Sequence, residues 1–464
     1  MFPEKSVTPA PGSGKRFSRR FVVQAGAASG AAAALASFLA SPAMVGAQDD
    51  VSLRLSTWDT SQEDLYQAMI DTFQEANPGV KVELLLIPDE GDSYQTKLNT
   101  MLAANDLPDV FAISEARAME WGDEDGIILD LTPYEDQYAN VLPGAKYRSS
   151  NGKFVGPLTG LETALIFANK QLFEEAGVDL PRTTMETAYT WDEFVETAKL
   201  MTKDRSGKNA TEADFNPDQI QQYGIGFPKW WLGWYPLIRS NGGDITDADG
   251  LTYTMNSPEC VEVFQNLQDL IYVHHVSPTP TASEGLPASA AQLATRRVAM
   301  VIDGQWNLPE MVTNRVPLAL GVMPKYKEYF ANLIGATFVI YEKSPNIDQA
   351  LALHQALNNP ESTWDLFTGG LWMPTDMRYL EDDDLVASWT DNEAHPPEYR
   401  DVAIRPLLTN AELGPVTIKD FATLDTRIGA ALDQVWANTK PVQQVLDELG
   451  EEIGPMLNGR YPVS

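Results

Sequence analysis

Flat aromatic rings beside carboxylates are the residues of this sequence best suited to chemistry, and the chemistry they suit is binding. The segment Phe227-Pro-Lys-Trp230-Trp231-Leu-Gly-Trp234-Tyr235-Pro236 packs three tryptophans and a tyrosine into a stretch bounded by Pro and Gly. Trp306 follows Asp303-Gly304-Gln305, and Trp372 follows Gly369-Gly370. Trp58-Asp59 and Ser114-Glu115 stand at the carboxyl ends of predicted strands. An aromatic face covers the C–H face of a sugar ring, while carboxylates and amides bond its hydroxyls. A single Trp is usually a core residue. Three separate aromatic groups, each at a strand end or in a Gly-rich loop, favour a ligand site.

Catalytic patterns are missing from the sequence. The four histidines, His274, His275, His354 and His395, lack metal-ligand spacing. His274-His275 reads as a pair capping a helix end. There is no Gly-x-Ser-x-Gly elbow and no phosphate-cradling glycine loop. With 65 acidic residues, any chosen pair of carboxylates says little about glycosidase chemistry. The expectation is a protein with no catalytic residue, metal site or cofactor.

The elements that must position the aromatics follow an α/β rhythm. Val51, Leu53 and Leu55 alternate along a first strand, 51–58. Leu65, Met69 and Phe73 lie on one face of a helix over 62–76, which Asn77-Pro78-Gly79 stops. Val80, Val82, Leu84 and Leu86 alternate along a second strand, a helix runs through Tyr94, Leu98 and Met101, and a third strand covers 109–113. This order predicts a parallel sheet with covering helices, whose ligands gather beyond the carboxyl ends of the strands. Further on, Thr190 and Glu193 predict a capped helix over 191–201. A loop follows over 202–218, then a helix at 258–273 and a linking stretch at 277–289. The spacing then predicts a buried strand at 297–302 and helices at 346–358 and 427–449.

Composition narrows the partners and the compartment. The basic stretch Lys15-Arg16-Phe17-Ser18-Arg19-Arg20-Phe21 precedes an apolar, Ala-rich run, and Val45-Gly46-Ala47 ends it in small residues. This is the order of a twin-arginine export signal, cleaved after residue 47. Removing residues 1–47 from the 464 leaves 417, too many for one ordinary core and enough for two lobes. The leader carries +4 (Lys5, Lys15, Arg16, Arg19 and Arg20 against Glu4), so a chain of net charge −32 leaves a body of −36. Such a surface repels nucleic acid and anionic lipid. Cys260, the single cysteine, excludes an intrachain disulfide and reads as a small buried residue at a helix start. No cysteine lies beside the cleavage site, so the expected product is exported, periplasmic or extracellular, and not a lipoprotein.

With these pieces in place, the chain resembles the extracellular solute-binding proteins of ABC importers, in particular the sugar-binding group that includes maltose-binding protein. Leu53–Trp58, Asn77-Pro-Gly-Val-Lys-Val82, Leu107-Pro-Asp-Val-Phe111 and Gly126-Ile-Ile-Leu-Asp-Leu131 carry the resemblance in the first part of the chain. Asn169-Lys-Gln-Leu-Phe-Glu-Glu-Ala-Gly177 followed by Thr190-Trp-Asp-Glu-Phe194 is its most specific stretch. Asn256-Ser-Pro-Glu259 and Val298–Trp306 follow in the same order. The family's Tyr-Asn-Lys reads Ala168-Asn169-Lys170 here, and the spacing from Pro157 is one residue longer.

The resemblance implies a periplasmic-binding-protein type II-like fold, two α/β lobes around a ligand cleft joined by hinge crossovers. The first lobe would comprise 48–161 plus 337–370 and the second 162–336 plus 371–464, with crossovers near 160–163, 331–336 and 368–372. It implies ligand contacts from Trp58, Asp59, Glu115, Glu162, Trp230, Trp231, Trp234, Asp303, Trp306 and Trp372. The implied function is capture of a sugar or oligosaccharide by hinge closure, and delivery to the transmembrane subunits of an ABC permease by a monomer. Two alternatives stay open. One is the same family with a non-sugar solute: glycerol phosphate, held by cations such as Arg117 and Arg239, or a polyamine boxed by aromatics and carboxylates. The other is a secreted glycoside hydrolase.

Overall fold

The computed structural model describes residues 51–89, 93–335 and 337–463; the export signal expected over residues 1–47 lies outside the described residues. The strands, in chain order, are β1 (Val51–Thr57), β2 (Val80–Leu86), β3 (Val110–Ile113), β4 (Lys146–Arg148), β5 (Phe154–Pro157), β6 (Ala164–Asn169), β7 (Lys203–Asp204), β8 (Ile220–Gly226), β9 (Val298–Gly304), β10 (Leu318–Gly321), β11 (Ala331–Leu333), β12 (Thr337–Ile340) and β13 (Ala411–Leu413). One sheet has the order β12-β3-β1-β2 and a second β10-β6-β9-β8-β7; β11–β13 and β4–β5 form two small pairs.

The first sheet starts as the sequence predicts. β1 lies parallel to β2, in register from Val51 opposite Val80 to Thr57 opposite Leu86, and parallel to β3 on its other side. Helices α1 (Glu63–Ala76) and α2 (Ser93–Ala103) connect these strands. α1 buries Tyr66, Met69, Ile70 and Phe73, the i, i+3, i+4, i+7 stripe of a helix with one covered face. Leu65 sits at the edge of that stripe and is only half-buried. The fourth strand, β12, arrives from far down the chain and runs antiparallel to β3.

The second sheet is mixed rather than parallel. β8 and β9 are parallel, but β6 is antiparallel to β9 and to β10. β6 runs straight into α4 (Lys170–Ala176), whose first turn is capped by Asn169 Oδ1 accepting from the Gln171 and Leu172 amides. Thr190 and Glu193 form the predicted capping box on α5 (Trp191–Met201). α6 (Trp231–Ser240) and α7 (Pro258–Tyr272) follow β8, and Cys260 is buried near the start of α7 with its thiol directed at the Asp244 carbonyl. The helix expected over 427–449 is two helices, Phe421–Trp436 and Val442–Ile453, because Pro441 cannot continue the first and caps the second. No helix among the described residues is long and apolar enough to cross a membrane.

Three segments that link the sheets lie side by side. The Leu161 and Met373 backbones exchange hydrogen bonds of 2.9 and 3.0 Å, and those of Glu162 and Ile334 exchange bonds of 2.8 and 3.0 Å. Gly335 is packed so closely here that a Cβ would stand 2.0 Å from the Gly160 carbonyl oxygen. A Cβ on Gly160 would in turn meet the Trp372 ring at 2.3 Å. Both positions need glycine because a backbone or an indole occupies the space of a side chain.

Candidate functional site

Strand ends deliver the first group of side chains. β1 ends in Trp58-Asp59. The half-buried Trp58 ring meets Tyr94 of α2 edge-on at 5.3 Å. The Tyr94 hydroxyl is held in turn by Ser56 Oγ and by the Ala112 carbonyl, each at 2.9 Å, so α2 is pinned to β1 and β3. The Tyr66 hydroxyl donates to Asp59 Oδ2 at 2.8 Å. β3 ends in Ser114-Glu115, where α3 (Glu115–Gly122) begins, and Glu115 Oε1 accepts the Gly335 amide at 3.1 Å.

Asp59, Glu115 and Glu162 form a buried acidic group where the crossing segments meet. Burial raises the carboxyl pKa of both Asp59 and Glu115. Glu162 is pushed up furthest, first by burial and then by the charges of Asp59 and Glu115; a hydrogen bond from the Trp372 side chain opposes the shift. The upward shifts favour the protonated form of each carboxyl, and a carboxyl that keeps its proton can donate as well as accept.

The second group comes from β8 and β9. Trp230 is 43% exposed, stands edge-on to Trp231 at 5.1 Å and is stacked on Trp306 at 6.2 Å with an angle of 27° between the rings. Asp303, at the end of β9, bonds the Ser289 hydroxyl and the Gly304 amide, and burial raises its pKa.

A cavity of about 370 Å³ joins the two groups and lies within the roughly 300–1,000 Å³ usual for small-molecule sites. Trp58, Tyr94 and Glu115 line one side; Trp231, Phe421 and Asp425 line the other. The structure thus brings Trp58, Glu115 and Trp231 into one cavity and sets Trp230 and Trp306 beside it as an aromatic platform. It ties Asp59 and Glu162 to Glu115 electrostatically. Trp234 and Trp372 are placed elsewhere. Trp234 is 1% exposed among Tyr235 and Phe264, and Trp372 is 2% exposed among Tyr66 and Phe338. Neither ring presents a face for stacking on a ligand, although Trp372 reaches the site through its bond to Glu162.

The cations considered for a phosphate ligand are already engaged. Arg117 lines the cavity but donates to Glu120 at 2.7 Å. Arg239 lies in a separate pocket and pairs with Asp244 and Glu412.

Sequence reading missed Asp425. It lies on the helix Phe421–Trp436, beside the buried stripe of Leu424 and Ile428, and burial pushes its carboxyl up to about 6. The only available signal was an acid flanking an apolar stripe, and starting that helix at 427 hid it.

Residues 59–364 match the bacterial extracellular solute-binding protein family. The chain belongs to that family. Its members bind solutes and are not enzymes. An arabinooligosaccharide-binding protein of Halalkalibacterium halodurans is 24% identical over 217 residues, 46% of this chain and 44% of that protein. An ABC substrate-binding protein of Listeria monocytogenes, solved in complex with cycloalternan, superposes with a TM-score of 0.74 at 21% identity, covering 88% of this chain and 99% of that one. UgpB of Mycobacterium tuberculosis, solved with glycerophosphocholine, superposes with a TM-score of 0.72 at 17% identity over 89% of this chain and 98% of that one. These likenesses establish the fold, two α/β lobes of the periplasmic-binding-protein type.

Proposed function

We propose that this solute-binding protein is the capture component of an ABC importer and that its solute is a sugar or oligosaccharide. One observation carries the reading: a cavity lined by tryptophans from separate elements, Trp58 and Trp231, together with the carboxylates Asp89, Glu115 and Asp425. Aromatic faces paired with hydroxyl-bonding groups suit a pyranose ring. The arabinooligosaccharide and cycloalternan ligands of the relatives support it. The glycerophosphocholine ligand of UgpB supports the alternative, a phosphodiester. That alternative needs a free cation at the cavity, whereas Arg117 is tied to Glu120.

In this reading the first lobe is 48–161 plus 337–370, the second is 162–336 plus 371–464, and the crossing segments at Glu162–Ile334 and Leu161–Met373 are the hinge. Sugar docks, the lobes close and water leaves. Closure follows only if the ligand binds the closed state more tightly than the open one. The closed monomer is then read by a membrane permease. Residues 1–47 direct export by the twin-arginine route to the periplasm or exterior.

A thermal-shift screen across neutral sugars, uronides, polyols and glycerophosphodiesters tests the ligand class, because a solute that binds only the native state raises its melting temperature. Stabilisation by carbohydrate is expected. Silence toward every sugar together with a response to a phosphodiester sinks the sugar assignment and leaves the family intact.

A further inference from the structure

The sugar-binding cavity has an unbalanced charge. Asp89, Glu115 and Asp425 line it, and Asp59 and Glu162 lie close enough to be felt beneath Glu115. Arg117 is its one lining cation among the described residues, and that guanidinium is spent on Glu120 at 2.7 Å. Asp89 accepts the Tyr94 amide at 3.3 Å and Glu115 accepts the Gly335 amide. Asp425 has no hydrogen-bond or ion-pair partner among the described residues; nothing but burial acts on it. It reaches the cavity from the helix Phe421–Trp436, whereas Asp89 and Glu115 stand with α2 and α3.

Bringing like charges from two sides around a neutral ligand costs free energy, because each carboxylate loses water and gains no counter-charge. A ligand that carries its own positive charge removes that cost and converts the carboxylates into charge-assisted acceptors. Trp58 and Trp231, on opposite sides, favour a cation for a second reason, since the ring faces attract one.

Resting on the sugar-binding reading above, we infer that the preferred ligand is a sugar bearing a free, protonated amine, with the ammonium placed between Asp425 and Glu115 and the ring between Trp58 and Trp231. The aromatic surfaces exceed what an ammonium alone requires, so an aminated ring fits the cavity better than a simple alkyl diamine.

Calorimetric titration of the full-length exported protein with a β-1,4-linked glucosamine disaccharide, its N-acetylated form and the matching glucose disaccharide tests this. The amine form is expected to bind at least about tenfold more tightly than the other two, with an affinity that falls as salt rises. Asp425→Asn is expected to remove about tenfold of that preference, weakening the amine form more than the glucose disaccharide. Glu115→Gln serves as a second variant, with circular dichroism confirming the fold of both. Equal or tighter binding of the uncharged sugars, or a preference unmoved in both variants, overturns the inference while the sugar reading stands. Binding of a diamine with no response to any sugar overturns both.

Discussion

The two sides of the cavity are built differently. On the side of the first sheet several polar groups are committed: Tyr94 to Ser56 and Ala112, Asp59 to Tyr66, Glu115 to Gly335 and Arg117 to Glu120. On the other side Trp230 is the most exposed tryptophan of the site and Asp425 has no partner among the described residues. A side whose groups are held by their own fold is ready for a ligand, since little side-chain freedom remains to be lost. A side with open groups is completed by the ligand. In the proposed reading, the contrast makes the first side the one that positions the solute and the second the one that responds to its arrival.

The contrast can be broken most severely at Gly335, where the crossing segments meet and where Glu115 finds its hydrogen bond. In Gly335→Ala the new methyl group would stand 2.0 Å from the Gly160 carbonyl oxygen, a backbone atom that cannot swing aside, so a stability loss of about 3 kcal/mol is expected in urea titration. An unchanged midpoint refutes the close packing. The next largest effect separates the two tryptophans of the second side. Trp231→Ala removes a ring that lines the cavity and packs against Gly414, and should weaken sugar binding by about 2 kcal/mol, close to thirtyfold. Trp230→Ala removes a ring outside it and should cost about threefold. The reverse order in titration calorimetry would move the site onto the Trp230–Trp306 platform.

The smallest effect lies in the ligand-free protein. The folded Asp425 pKa, about 6, stands above its unfolded value near 3.8. Its contribution to stability is therefore complete below pH 3.8 and is lost as pH rises through 6. Asp425→Asn should stabilise the ligand-free protein by about 1 kcal/mol at pH 8, after allowance for partial exposure, and by nothing at pH 3.5. Asp89, Glu115, Tyr94 and Arg117 share the cavity with it, so a curve that keeps its pH dependence in the variant would shift the titration to one of the other carboxyls.

Local pattern was enough for elements that rest on local chemistry. The β1–α1–β2 start, the Thr190–Glu193 capping box and buried Cys260 all depend on residues close in sequence. What escaped was set by distant partners. The antiparallel entry of β6 beside β9 carries no mark in its apolar residues, which read alike in either direction. Trp234 and Trp372 resemble Trp230 and Trp231 in sequence, but neighbours such as Phe264 and Tyr66 enclose them. Pro441 was visible, yet apolar spacing on both sides of it suggested one helix. Asp425 was lost with that misplaced start. Trp58, Glu115 and Trp231 were legible because strand ends and a Pro- and Gly-bounded aromatic run point outward from a sheet.

The hydrogen bond from Gly335 to Glu115 joins residues 220 apart in the chain. During synthesis, the first sheet therefore lacks its edge strand β12 until the ribosome has released residue 340, by which time much of the second sheet has emerged. The nascent chain holds β3 with one side unpaired for the whole interval. An unpaired edge invites pairing with a neighbouring chain, so a chaperone that covers the free edge of β3 during translation would hold the place that β12 takes in the finished protein.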